Sequence, residues 1–186
     1  AYSEEITDLF LNGEEIPSQF ITEAIRNTTI SRELVPVLCG ASLKNAGVQP
    51  LLDAIVSYLP CPTDLPPVIG HHAKTEKEVS VASDSAAQPL ALVFKIFNDK
   101  DAGPLNFVRV YSGTFKKGAV AFNINKGKRE RVNRILRMHS NRSENLDSVS
   151  AGDIAVFVGM KLSQTGDTLG SEGHQILLER MTFPVP

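Results

Sequence analysis

The sequence predicts an α/β segment followed by an all-β barrel. Three observations carry that expectation. An apolar stripe at helical spacing runs from Val48 to Leu59, behind a β-type apolar run at residues 34–39. Four prolines, Pro60, Pro62, Pro66 and Pro67, then fall within eight residues. From Pro89 onward, short β-type runs alternate with glycine turns and no helical pattern intervenes.

The first segment covers residues 1–59. Its start is acidic, with Glu4, Glu5, Asp8, Glu14 and Glu15. Pro17 suits the first turn of a helix, where a missing N–H costs nothing. Phe20, Ile21, Ala24 and Ile25 recur at helical spacing behind it. Residues 34–39 are expected to form a strand that ends at Gly40, followed by a short polar loop. Val48, Leu51, Leu52, Ile55, Val56 and Leu59 then mark one face of a helix. Pro60 stops it, because the residue before a proline is pushed out of helical space. That stripe cannot be covered by the elements of this segment alone, and upstream strands are its expected partner.

Residues 60–88 read as a proline-rich linker and loop. The prolines stiffen it, and the polar stretch 71–88 is expected as a loop or a peripheral strand. His71 and His72 have no third metal ligand at useful spacing and are taken as surface. Residues 89–186 form the barrel. Strands are expected at 90–97, 107–111, 119–124, 131–138, 154–158 and 175–178, with a turn at 98–104. Closure removes exposed strand edges.

Composition excludes several classes. A hydrophobic share of 42% and a charged share of 22% are those of a soluble globular chain. No apolar run is long enough for a membrane helix, and no signal peptide is expected. The chain begins without Met, which suggests a piece of a longer protein. Cys39 and Cys61 lack zinc spacing and read as free thiols of a reducing cytosol. The glycosylation sequons at Asn27 and Asn141 carry little weight without a secretory signal.

The chemical motifs are mostly negative. Asp99-x-Asp101-x-Gly103 lacks the distal ligands of a calcium loop and reads as a hairpin turn. Asn125-Lys126-Gly127-Lys128 lacks the carboxylate that a guanine-reading Asn-Lys-x-Asp box needs. No Gly-x-x-x-x-Gly-Lys-Ser/Thr loop occurs, so nothing is arranged to cradle phosphates. No nucleophile–base pair stands out, so no catalytic residue is assigned. Thr165-Gly-Asp-Thr-Leu169 is a tight turn in which Asp167 can bond neighbouring amides.

One local feature departs from the formal net charge of −2. Lys126, Lys128, Arg129, Arg131, Arg134, Arg137 and Arg142 are opposed over their stretch only by Glu130. On a half-buried strand they would make a basic face, fit for sequence-independent, salt-sensitive phosphate contact. A merely solvated strand face is the competing reading. No aromatic side chain is interleaved, so base stacking is not expected there. Lys126, Lys128, Arg129, Arg131 and Arg134 are the candidate RNA or inter-domain contacts.

Taken in order, these residues resemble a known family. Gly13-Glu-Glu, Ala24-Ile-Arg26, Val35-Pro-Val-Leu-Cys-Gly40, Lys44-Asn45, Gly47-Val-Gln-Pro-Leu-Leu-Asp53 and Tyr58-Leu-Pro60 are similar to the close of the GTPase domain in bacterial elongation factor G. Phe94-Lys-Ile96, Arg109-Val-Tyr-Ser-Gly113, Lys128-Arg-Glu-Arg-Val132, Met138-His139, Ala151-Gly-Asp-Ile-Ala155, Thr165-Gly-Asp-Thr-Leu169 and Phe183-Pro184 are similar to its domain II barrel.

The resemblance implies a parent that is a ribosome-dependent GTPase of translocation or ribosome recycling, using GTP with magnesium in the cytoplasm. It implies no cofactor for this segment alone. Gly40, Ala41, Ser42 and Leu43 would belong to the last guanine-contacting loop, with the backbone N–H of Ser42, joined by that of Leu43, facing the guanine carbonyl. The family there usually reads Gly-Ser-Ala-Phe-Lys, so Ala41 lacks the usual hydroxyl. Implied partners are small-subunit ribosomal RNA and the rest of the same protein, with no membrane. A tetracycline-resistance-type ribosomal protection protein shares this domain order. A stand-alone RNA-binding barrel is the third reading.

Overall fold

In a computed structural model, the described residues are 3–100, 102–139 and 142–178. Asp101, Asn141 and the Phe183-Pro184 motif lie outside them. The chain divides into two compact units, residues 1–61 and 62–186.

The first unit holds α1 (Glu4–Leu11), α2 (Ser18–Ile30), a 3₁₀ turn (Ser42–Lys44) and α3 (Val48–Tyr58). Ser3 caps α1, its hydroxyl oxygen accepting the Ile6 N–H at 3.3 Å. Pro17 sits at the N-cap of α2, next to the place its fixed φ suits. α2 packs against α3. Arg26 on α2 donates to the carbonyls of Ser57 and Leu59, satisfying two of the orphan acceptors at the end of α3.

Residues 34–39 do not form the expected strand. They carry no regular secondary structure and pair laterally with no described residue. A strand needs a neighbour's hydrogen bonds as well as β-type residues. Val35 and Val37 are 80% and 87% exposed for the same reason. The helix expected at Val48–Leu59 is present, yet none of its residues is buried. A groove of about 310 Å3 runs between Leu34, Leu38, Leu51, Ile55 and Leu59.

The second unit is all β. Its strands are β1 (Val68–His72), β2 (Glu78–Val81), β3 (Leu90–Asp99), β4 (Gly103–Ser112), β5 (Thr114–Lys116), β6 (Val120–Asn123), β7 (Lys128–Arg131), β8 (Arg134–His139), β9 (Arg142–Leu146), β10 (Ser148–Ser150), β11 (Ile154–Val158), β12 (Thr168–Gly170) and β13 (Ile176–Leu178). The main sheet runs β7-β6-β12-β3-β4-β11-β8-β9, all neighbours antiparallel. β7 and β8 lie toward opposite ends of that order, yet only Val132 and Asn133 separate them in sequence. The chain turns from one end of the sheet into the other at those two residues, and this joins the sheet into a barrel.

The strand expected at 131–138 is therefore two strands. Val132 exchanges backbone bonds with Gly118 and Ala119, while the Asn133 N–H donates to Val158. The residues on either side of the bend belong to different pairings, and their side-chain alternation restarts.

The barrel interior collects Ala91, Val93, Val108, Val110, Phe115, Ile135, Phe157 and Leu169, all buried. The Phe115 and Phe157 rings lie 5.3 Å apart and tilted. An extra residue, Phe94, makes a bulge where the register passes from Val93↔Val108 to Lys95↔Phe107. The bulge flips the inward parity, so Ile96 rather than Lys95 packs on the core. A smaller sheet, β13-β1-β2, covers the outer face of the barrel through Val81, Leu90, Leu92, Ile176 and Leu178. β1 and β2 thus place part of the stretch expected as linker and loop within the folded unit.

Candidate functional site

The loop after residue 40 is built from backbone. The Ala41 N–H donates to the Ala46 carbonyl at 2.9 Å, and the Ala46 N–H donates back at 3.2 Å. The 3₁₀ turn sits inside that bridge, and Asn45 closes it in the left-handed region with φ 52°. Gly47 takes φ 78°, and a Cβ there would stand 2.9 Å from the Cys39 carbonyl oxygen and 3.0 Å from the Gly40 Cα. Only glycine allows this approach. Within the loop, the backbone N–H groups of Ser42 and Leu43 bond to no described residue. Leu43 is fully exposed. Two adjacent backbone donors thus stand ready for a carbonyl oxygen or water. Ala41 offers no hydroxyl, so its side chain adds nothing to that contact.

The basic candidates on the barrel do not form one face. Lys126 lies in the β6–β7 turn, where its ammonium donates to the Leu162 carbonyl and stands 3.5 Å from Asp167. Arg129 and Arg131 share the outer side of β7, with buried Glu130 between them. Arg129 pairs with Glu172, and Arg131 donates to the Gly118 carbonyl at 3.0 Å. Lys128 and Arg134 are exposed and have no hydrogen-bond or ion-pair partner among the described residues. Arg134 lies beyond the bend, on the same side of β8 as Leu136 and Met138, while Arg137 alternates with them and pairs with Glu144. Within β8, Arg137 and His139 alternate with Leu136 and Met138, but Ile135 is buried as well and the bend puts Arg131 on a different strand, so no continuous basic face results.

Sequence reasoning missed a polar anchor beside these residues. Glu130 accepts the N–H groups of Lys161 and Leu162 at 2.8 and 2.6 Å, and the Ser163 hydroxyl. Asp167 accepts the Gln164 N–H and the Asn123 amide, each at 2.8 Å. Two buried carboxylates thereby hold the loop 161–167 against β6 and β7. The turn role of Asp167 was legible in Thr165-Gly-Asp-Thr-Leu169. The signal for Glu130 was its isolation as the one acid in a basic run. No group of three or more potential metal ligands occurs among the described residues.

Comparison with known proteins accords with both units. The family model for elongation factor G domain 2 matches residues 88–172. Elongation factor G 1 of Treponema denticola is 55% identical over 184 residues, covering 99% of this chain and 27% of that protein. Elongation factor G 2 of Treponema pallidum is 49% identical over 185 residues, covering 100% of this chain and again 27% of the relative. A crystal structure from Thermus thermophilus shares the fold with a TM-score of 0.65 at 22% identity, over 98% of this chain and 25% of that one. The chain thus spans about a quarter of the length of these relatives. With such identity along almost all of its residues, it belongs to the elongation factor G family.

Proposed function

We propose that this chain is part of a ribosome-dependent translational GTPase acting in translocation or ribosome recycling. The 55% identity to an elongation factor G along 99% of the chain carries that reading. The family names favour it over a ribosomal protection protein and over a free-standing RNA-binding barrel. A cytoplasmic location follows from the same role, and no helix among the described residues is long and apolar enough to cross a membrane.

In this reading the first unit supplies one wall of the nucleotide site. The unpartnered N–H groups of Ser42 and Leu43 would hold the guanine carbonyl, with Gly40 and Gly47 fixing the loop's shape. When bound in the whole protein, GTP with magnesium supplies the scissile phosphoanhydride. The sequence has no phosphate-binding loop, and in this reading the chain contributes to binding the base while the phosphate chemistry belongs to the rest of the protein. The apolar groove on α3 and the unpaired residues 34–39 suit packing against the rest of a GTPase domain.

The second unit is the ribosome-facing barrel. Of its candidate cations, Lys128 and Arg134 have charge to spare for phosphate, while Lys126, Arg129 and Arg131 are engaged within the barrel. Co-sedimentation of the chain with isolated small ribosomal subunits tests the interaction. Binding is expected to weaken as salt rises. The double variant Lys128→Glu, Arg134→Glu is expected to flatten the log–log salt slope by about two, near one unit for each phosphate no longer neutralised. Binding that ignores both salt and this variant would remove the barrel's cations from the proposal.

A further inference from the structure

A cleft of about 530 Å3 opens in the second unit between the segment that leads into β1 and the outer face of β4. Pro62, Leu65, Pro66 and Val81 form its apolar walls, and Arg109 and Tyr111 its floor. The volume is that of a small-molecule site. Among the described residues, no acidic side chain lines it.

Among the described residues, Arg109 is the only charged one in the lining. It is half-buried, with its guanidinium 5.5 Å from the centre of the Tyr111 ring. It makes no hydrogen bond or ion pair with any described residue. Its cross-strand neighbours are Leu92 on β3 and Ile154 on β11, both apolar. The cation therefore gives up part of its hydration without receiving a counter-charge, beyond what the aromatic face returns. A planar guanidinium in this position is matched by a carboxylate, which it can grip with two parallel N–H donors. A phosphate dianion would leave one charge uncompensated in a cleft whose other walls are proline and aliphatic.

From this we infer that the cleft binds a monocarboxylate borne on an apolar body of aromatic or short alkyl type. The carboxylate meets Arg109, and the body lies along Pro62, Leu65 and Pro66. The site lies outside both the base-contacting loop and the barrel's basic strands, and it does not depend on the proposed ribosomal role.

Two-dimensional amide NMR of the whole 186-residue chain tests it, with benzoate, indole-3-acetate and octanoate as probes and their uncharged amides as controls. At least one acid is expected to give saturable shifts at Leu65, Val81, Arg109, Tyr111 and Gly152. Its amide is expected to bind about tenfold more weakly or worse, the worth of a charge-assisted hydrogen bond. Arg109→Gln is expected to bring acid and amide to equal affinity, and Arg109→Lys to fall between. No saturable shift from any of the three acids up to millimolar concentration would overturn the inference. So would an amide binding as tightly as its acid, a comparison that needs no variant, or an Arg109→Gln chain that keeps the wild-type preference.

Discussion

Replacing Glu130 with alanine is expected to destabilise the barrel by about 3–5 kcal/mol, because three donors lose a buried charged acceptor. Glu130 is 7% exposed, so water cannot take its place without opening the loop. At about 4 °C per kcal/mol for a domain of this size, the melting temperature should fall by more than about 10 °C. Glu130→Gln keeps one oxygen for the Lys161 and Leu162 N–H groups and presents an NH₂ to a hydroxyl that can also accept. Its cost should be roughly half as large or less. Arg129→Ala, one residue away, removes only an exposed ion pair and should cost less than about 1 kcal/mol. Thermal melts of the three variants check the order. Equal effects at Glu130 and Arg129 would show that the loop 161–167 is not held through this carboxylate.

The second large effect is at Gly113, where β4 turns into β5. Gly113 has φ 66°, and a Cβ there would stand 2.4 Å from the Pro89 nitrogen and 2.6 Å from the Ala87 carbonyl oxygen. Both contacts are with backbone, so no side chain can swing aside. The Gly113 N–H also donates to the Asp84 carbonyl, and the Ala151 N–H to that of Gly113. Moving this residue disturbs both. Gly127 has nearly the same φ, 62°, and a Cβ there would meet nothing within 4 Å. Gly127→Ala thus reports the left-handed strain alone, about 1–2 kcal/mol. Gly113→Ala adds the collision and should exceed it by at least about 2 kcal/mol, in the range of overpacked sites. Chemical denaturation of both variants measures the difference. Equal losses would mean that the backbone approach at Pro89 relaxes freely.

The parts of the fold visible in the sequence are those set by local pattern. α3 was legible because six apolar residues repeat at helical spacing and Pro60 ends them. The β3–β4 hairpin was legible from β-type runs around an Asn-Asp-Gly-Pro cluster. The division of 131–138 was not legible, because hydrophobic and basic residues alternate plausibly straight through Val132 and Asn133. Only the two different hydrogen-bond partners on either side of that bend reveal it. β12 is three residues, Thr168 to Gly170, too short to show a period, and its identity comes from pairing with β3 and β6. Residues 34–39 show the reverse case. Their composition is that of a strand, but strand formation depends on neighbours that the described residues do not supply.

The candidate sites divide in the same way. The assignment of Gly40 to Leu43 to a guanine contact rests on the resemblance and stays a proposal, while the tight loop shape around them was signalled in sequence by Gly40 and Gly47. The barrel cations could be found as a cluster but not sorted. Whether Arg129 faces solvent alone or meets Glu172 depends on a residue 43 positions away. Glu130 was hidden for the same reason, since its partners lie 31 to 33 positions downstream.

We propose above all that this chain carries one base-contacting wall of a nucleotide site and none of the phosphate grip. Two neutral hydrogen bonds yield about 2 kcal/mol, against an association cost of at least about 4 kcal/mol. Titration calorimetry of the chain with GDP and with GTP plus magnesium is the most direct measurement. No binding heat is expected at protein and nucleotide concentrations up to the millimolar range, and no phosphate release over hours. Saturable binding of either nucleotide with a micromolar dissociation constant would contradict the account.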